Sequence, residues 1–417
     1  MYKIIAPEDI KLNKHSDADT LQGRKVWIAD FLADIGINRS LKILIGTNSL
    51  GCGGQENQVM RLIPELKKLG FEVEHMYYSP PHDLADKYAQ RGIKSLFIDK
   101  NELGKLACLK KQISFIRANN FDIVHAFGGT ANIYIRGAAV LARNKVILGS
   151  SRDRAGFGGF GSVAINSILN LFTSAWVMNS RSNIDGLGKL KFLKKKRLYL
   201  LPNGLEIADA QLSDTGDVDK DLLEWIDGRV IAASAGRICE VKNYDLFIDA
   251  AKRVHERFPD SCFLIIGGAD CREEGAIFQK RLSDRIKTEK LDSFVRMTGR
   301  MEHIEWFYPY IDLFVLTSNY EGCPNVVLEA MRASKPIVMT NSCDTSLIIK
   351  EGENGFVVEV GDVDGLTEKI VCLLDSKQKR KEFGMVSRQI IESGFSVTES
   401  AWTLAKIYLN ELYCKKK

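Results

Sequence analysis

Short apolar runs alternate with longer segments of helical period along most of the chain. The first run is "LKILIGT" at 41–47, followed by a glycine-rich turn and the pattern "ENQVMRLIPELKKLG", whose closing Gly70 suits a helix C-cap. Further runs are "FEVEHMYYS" at 71–79, "SLFID" at 95–99, "FDIVHAFG" at 121–128 and "KVILGSS" at 145–151. The rhythm restarts after "LYLLPNGLEI" at 198–207, with "RVIAASAGR", "SCFLIIGGA", "FVRMTGR", "DLFVLTS", "KPIVMTN" and "GFVVEV". Strands alternating with helices predict β-α-β units and parallel sheets. An amphipathic helix closes the chain, with Ser396 near its start.

This organisation predicts two similar doubly wound α/β domains facing across a cleft. The expected parts are an N-terminal extension at 1–40, a first domain at 41–207, a linker at 208–228, a second domain at 229–393 and a final helix at 394–417. The extension carries charges and no clear strand, with helical character near "VWIADFLADIG". The linker turns acidic and loses its periodicity. A length of 417 residues is too great for one compact core and suits two domains.

Composition narrows the class. With 45% hydrophobic and 27% charged residues the chain is globular. The formal charge of +5 is too mild to imply nucleic acid. Positive charge concentrates in "KLKFLKKKR" at 189–197, which reads as a solvated face or as a contact for anionic lipid. The nine cysteines form no C-x-x-C pair, which fits reduced thiols in a cytosol. The first residues lack the apolar core of a signal peptide, and no apolar stretch reaches spanning length.

Ligands of doubly wound sheets bind beyond the carboxyl ends of the strands, so chemistry is expected just after each apolar run. In "NSLGCGGQEN" at 48–57, Gly53 and Gly54 allow close backbone approach at a helix start, or serve only as turn residues. His125 ends a buried strand, either as a satisfied structural residue or as a sugar-hydroxyl contact. Arg152 and Arg154 in "SSRDR" read an acceptor or pair on the surface. Arg237 and Lys242 flank a loop entering a helix, where a guanidinium and an ammonium aimed at one point suit a diphosphate. "NYEGCPNVVLEA" at 319–330 follows another strand. Pro324 suits the first turn of a helix, which leaves Glu321 in the loop near a sugar. Glu329 then lies on the order of 8 Å along the helix, where its carboxylate can accept both hydroxyls of a ribose.

Taken together, these segments resemble the retaining glycosyltransferases of family 4 (group 1), with the GT-B fold. The likeness rests on "GGQE" at 53–56, "DIVHAFG" at 122–128, "LPNG" at 201–204, "GRICEVKN" at 236–243, "IIGG" at 265–268, "TGR" at 298–300 and "EGCPNVVLE" at 321–329. It implies that Arg237 and Lys242 bind the donor diphosphate and stabilise its departure, that Glu321 lies beside the donor sugar and that Glu329 holds the ribose. It further places Gly322, Cys323, Asn325 and Val326 at the sugar and phosphates, and Gly299 and Arg300 near the base. His125 would meet the sugar's 6-hydroxyl, and Gly53 and Gly54 would border phosphate and acceptor. Gln55 departs from the small residue that many relatives carry. The final helix matches the family's habit of crossing back to the first domain.

The resemblance implies a hexosyltransferase-type enzyme without a metal cofactor. The D-x-D triplets at 17–19, 217–219 and 362–364 sit in the extension, the linker and a turn entering a helix. The co-substrate is a nucleotide sugar, a UDP-sugar first and GDP- or ADP-sugars as alternatives. The acceptor is a glycan or a lipid-linked glycan in polysaccharide assembly. The enzyme would be cytoplasmic, at the inner face of the membrane, with 189–197 touching anionic lipid. The apolar segment "VAINSILNLFTSAWVM" at 163–178 would suit a membrane-bound acceptor, or simple core packing. Two other readings are a sugar-phosphate synthase or hydrolysing epimerase on the same fold, and a non-catalytic scaffold.

Overall fold

A computed structural model describes residues 3–5, 19–51, 53–151, 160–181, 184, 196–207, 219–269, 273–301 and 303–416. The chain divides into two compact units, Met1–Glu206 with Ser396–Lys417, and Ile207–Phe395.

Among the described residues the first unit holds eight parallel strands: β1 (Lys3–Ile5), β2 (Lys42–Gly46), β3 (Glu72–Tyr77), β4 (Ser95–Phe97), β5 (Ile123–Phe127), β6 (Val146–Ser151), β7 (Ala175–Met178) and β8 (Arg197–Leu200). Their order across the sheet is β1-β8-β7-β6-β5-β2-β3-β4. Every residue of β5, β6 and β7 is buried, as a parallel sheet covered on both faces requires. The helix that follows β2, Gly54–Lys68, ends where Gly70 takes a φ of +98°. That left-handed turn is the one glycine supplies without strain.

One expectation changes here, and two segments gain detail. The segment 1–40 does contain a strand, because β1 pairs in register with β8, Lys3 opposite Arg197. Its Ile4 and Ile5 stand between Lys3 and Pro7 in a charged segment, which hides the run in the sequence. The helix Leu21–Asp34 packs Trp27, Ile28 and Leu32 into the core of the first unit, with Trp27 edge-on to Trp402 at 5.2 Å. The apolar segment 163–178 splits into the end of the helix Phe160–Phe172 and strand β7.

The closing helix, Val397–Lys416, belongs to this first unit. It begins where Val397 N–H donates to the Leu205 carbonyl at 2.8 Å. Ala401, Leu404, Ala405, Ile407, Tyr408 and Leu409 enter the same core as Ile43, Ile45 and Ile63. Its Glu411 is fully buried and accepts from Arg197 Nε, Arg197 Nη2 and Tyr199 Oη, each at 2.7 Å.

The second unit has six parallel strands: β9 (Val230–Ala235), β10 (Ser261–Ile266), β11 (Val295–Gly299), β12 (Leu313–Leu316), β13 (Ile337–Thr340) and β14 (Gly355–Val358). The order is β11-β10-β9-β12-β13-β14, the doubly wound arrangement in which the chain reverses between β9 and β12. The expected linker is a correction in its second half. Residues 208–218 lie outside the described residues, but Lys220–Ile226 is a helix of the second unit, capped by Asp219 and burying Leu222 and Ile226. Its two amphipathic turns are too short to show a period among acidic neighbours. Asp362 caps the helix Val363–Leu374 by accepting from the Gly365 N–H at 2.9 Å, so the "GDVDGL" turn serves the helix. Of the other two D-x-D triplets, positions 17, 18, 217 and 218 lie outside the described residues.

Candidate active site

In the second unit the loops after β9 and β12 leave the sheet at its switch point. After β9 the chain runs through Gly236 and Arg237 into a single 3-10 turn, Glu240–Lys242. Asn243, at φ +45°, then opens the helix Tyr244–Arg257 and caps it by accepting from the Leu246 N–H at 3.3 Å. Asparagine tolerates this left-handed conformation, and the sharp corner turns Lys242 back over the strand end. A methyl group on Gly236 would come within 2.8 Å of Lys242 Cε, so the lysine stem lies directly over that glycine.

After β12, Thr317 Oγ1 donates to the Lys242 carbonyl at 2.9 Å, and Asn319 N–H donates to the Val241 carbonyl at 2.7 Å. Asn243 Nδ2 donates to Asn319 Oδ1 at 3.0 Å. These bonds bind the two loops into one unit. Glu321 follows, its backbone N–H donating to the Ser342 carbonyl at 2.8 Å. Its carboxylate meets the Lys242 ammonium at 2.6 Å and accepts from Ser318 Oγ at 2.8 Å. The two side chains are only 15% and 16% exposed. Two of the expected site residues, 79 positions apart, therefore form one charge pair at the switch point.

The remaining expected residues of this unit lie in the loops and the helix that follow its strands. Pro324 is the N-cap of the helix Asn325–Arg332 rather than its first residue. Gly322, Cys323, Asn325, Val326 and Glu329 are all half-buried, with Glu329 in the second turn. The first amides of a helix have no acceptor inside it, and its dipole places partial positive charge at this end. Arg237 and Arg300 are exposed. Gly299, at φ +76°, ends β11 and accepts from the Gly267 N–H at 2.9 Å. The loops after β9, β10 and β11 are thus stitched together, since Gly236 N–H also donates to Ile266 and Ile238 N–H to Gly268. Beneath them Tyr244 donates to the Gly236 carbonyl at 3.1 Å. Burial, with Cys239 and Glu321 adding, holds its phenol protonated. Burial likewise raises the Cys343 thiol, Cys323 and Glu321 contributing.

The first unit has its own switch point, between β2 and β5. Gly53 caps the helix Gly54–Lys68 without a side chain, and Gly54 is exposed at its first turn. Gln55 Nε2 donates to the Phe127 carbonyl at 3.0 Å, and Thr130 Oγ1 donates to Asn48 Oδ1 at 2.9 Å. Gln55 therefore ties the helix start to the loop after β5. His125 is fully buried, with Nδ1 at 2.9 Å from Tyr408 Oη and Nε2 at 2.8 Å from Ser150 Oγ. These bonds are those of a satisfied core histidine, one of its two expected roles, and they tie the ring to the closing helix and β6. Arg152 and Arg154 lie outside the described residues, as do 189–195 of the basic stretch.

Ser318, Asn243, Asn319 and Gly236 were not singled out from sequence. The signal that finds them is position: all lie within eight residues of the end of β9 or β12, where doubly wound sheets bind ligands. Among the described residues no three His, Cys, Asp or Glu side chains gather as a metal-binding group. None of the described helices is long and apolar enough to cross a membrane.

Known proteins share this framework. Residues 218–389 match the model for glycosyl transferases group 1, and residues 52–209 match that for glycosyltransferase family 4. The Escherichia coli UDP-Gal:alpha-D-GlcNAc-diphosphoundecaprenol alpha-1,3-galactosyltransferase is 23% identical over 342 residues, 78% of this chain and 85% of that one. Mannosylfructose-phosphate synthase of Agrobacterium fabrum is 27% identical over 202 residues, 47% of this chain and 43% of that protein. The crystal structure of Anabaena Alr3699/HepE with UDP and glucose superposes with a TM-score of 0.77 at 20% identity, covering 88% of this chain and 99% of that one. Two parallel sheets with these switch-point loops, together with the two matched models, place the chain: it belongs to the group 1, family 4 glycosyltransferases of the GT-B fold.

Proposed function

We propose that the protein moves a sugar, with retention of anomeric configuration, from a nucleoside diphosphate to a glycan or lipid-linked acceptor in polysaccharide biosynthesis. The observation that carries this reading is the Lys242–Glu321 pair at the switch point. There the Lys242 ammonium and the Arg237 guanidinium take the donor diphosphate, beside the N-terminus of the helix Asn325–Arg332. Glu329 accepts from the ribose hydroxyls, and Gly299 and Arg300 border the base. Glu321 faces the sugar, with Gly322, Cys323, Asn325 and Val326 lining the phosphate side. Gly53, Gly54 and Gln55 border the acceptor side in the first unit.

As the bond from C1 to the diphosphate oxygen breaks, the sugar gains oxocarbenium character and the leaving group gains negative charge. The acceptor oxygen bonds to C1 on the face that the diphosphate leaves, and its proton passes to the departing phosphate. Fixed cations stabilise that charge, each good donor contributing on the order of 10²–10³ in rate. Lys242 and Arg237 fill this role without a metal ion. Uridine is the expected base, since the Anabaena neighbours were crystallised with UDP and UDP-glucose. A lipid-linked acceptor is supported by the name of the E. coli relative, and an enzyme that uses one works at a membrane surface.

Transfer from an α-linked UDP-sugar to a polyprenyl-diphosphate-linked sugar, followed by proton NMR of the product anomer, tests the reading. An α-linked product is expected, with the Lys242→Met rate lower by about 10²-fold. A β-linked product overturns retention. No transfer from uridine, guanosine or adenosine donors overturns the transferase reading of the site.

A further inference from the structure

The helix Phe160–Phe172 is amphipathic the wrong way round for a free surface. Its polar residues point inward. Asn166 and Asn170 are buried, Asn166 Oδ1 accepting from Arg136 Nη1 at 3.1 Å and Asn170 Oδ1 from Trp176 Nε1 at 2.8 Å. Arg136 is itself fully buried; it stacks over the Trp176 ring at 4.4 Å and donates from Nε and Nη2 to Thr173 Oγ1 at 3.1 and 2.7 Å. The apolar residues point outward. Ile165 is 46% exposed, Ile168 62%, Leu171 75% and Phe172 55%, with Leu141 of the helix Ala131–Leu141 also exposed. Core packing therefore does not account for this part of the apolar segment. A stripe at positions i, i+3, i+6 and i+7 facing water is the mark of an unfilled contact.

Cations rim the stripe. Arg143 and Lys145 are exposed, and a shallow depression brings them together with Leu171, Phe172 and Lys415. Lys196 Nζ donates to the Thr173 carbonyl at 2.7 Å, at the carboxyl end of the helix. Between Asp122 and Asp185 the sequence holds a single acidic residue, Asp153. An outward apolar stripe edged by lysine and arginine matches a bilayer surface carrying anionic headgroups, with the stripe among the acyl chains and the cations at the phosphates. A second copy of the chain fits poorly, because a two-fold contact through this face would set its cations against one another.

We propose that the outward face of Phe160–Phe172, with Leu141, Arg143, Lys145 and Lys415, docks the protein on an anionic phospholipid bilayer. Docking here rests on the lipid-linked acceptor reading for its purpose. Vesicle binding is measured without donor or acceptor, so that each reading can fail alone.

The full-length protein is floated with vesicles of phosphatidylcholine and phosphatidylglycerol, and with phosphatidylcholine alone. Flotation with the anionic vesicles is expected, weakening as salt rises. Ile168→Gln/Leu171→Gln lowers vesicle affinity about tenfold or more, and Lys145→Gln/Lys415→Gln lowers it while flattening the salt dependence. Both variants keep the wild-type circular dichroism and the wild-type response to UDP. Vesicle binding by a wild-type protein that ignores UDP leaves docking standing and removes the transferase reading. Docking is overturned if wild type stays with the unbound fraction, or if the apolar variant binds as tightly. It is also overturned if sedimentation shows a wild-type dimer that the apolar variant splits.

Discussion

Lys242 shows how one side chain is prepared before any ligand arrives. Its stem lies over Gly236, its carbonyl is held by Thr317, and its ammonium faces Glu321. A pair at this depth is screened less than a surface pair, so its geometry holds the charge in place, which is what the proposed function requires of it. The histidines show the opposite use of a titratable group. His75 on β3 is buried, its ring nitrogens at 3.2 Å from Thr47 Oγ1 and 2.9 Å from Ser95 Oγ. Burial pushes its imidazole from 6.5 down to about 3. The folded value lies below the unfolded one, so between those values unfolding takes up a proton. The stability that neutral His75 provides is fully present above about pH 6.5 and is lost as pH falls toward 3. Between pH 7 and pH 5 this amounts to about 2 kcal/mol, on a slope of about 1.4 kcal/mol per pH unit. Urea unfolding at both pH values should show a smaller loss in His75→Gln than in wild type. Equal losses would mean that His75 is not the group being protonated.

At the scale of elements, the site depends on loops that bond to one another past the ends of the strands. Gly267 makes the closest approach, and a methyl group there would overlap the Gly236 carbonyl oxygen. Gly267→Ala should destabilise the second unit by about 1–3 kcal/mol, since the neighbour is backbone and cannot rotate away. Thermal melts with and without UDP check this. A full wild-type melting temperature would show that the loops yield freely. The same elements explain what was legible in the sequence. Most strands appear as apolar runs, and the longest of these come from central strands buried on both faces, such as β5, β6 and β10. Strand β1 does not, its Ile4 and Ile5 standing between Lys3 and Pro7 in a charged segment, and β7 merges with the apolar helix before it, only Thr173 and Ser174 intervening. Arg237, Lys242, Glu321 and Glu329 were legible as residues that follow strands. The pairing of Lys242 with Glu321 was not, because it depends on β9 and β12 being neighbours in the sheet. For His125 the contact that satisfies its ring lies 283 residues away, at Tyr408, beyond the reach of any local pattern.

At the scale of the whole molecule, two doubly wound units repeat one plan, each with its informative loops where strand order reverses. The closing helix completes the core of the first unit, so the last residues of the chain are as much a part of that unit as its first strand. The plan concentrates cations and helix N-termini at the switch point of the second unit, which is the central claim about function. Calorimetric titration of UDP, GDP and ADP into wild type and Arg237→Ala tests it most directly. One nucleotide, UDP, should bind, and loss of one charged donor should weaken it by about 1.5–3 kcal/mol. Binding of none of the three by folded wild type, or equal UDP affinity in Arg237→Ala, would contradict a diphosphate site at this loop.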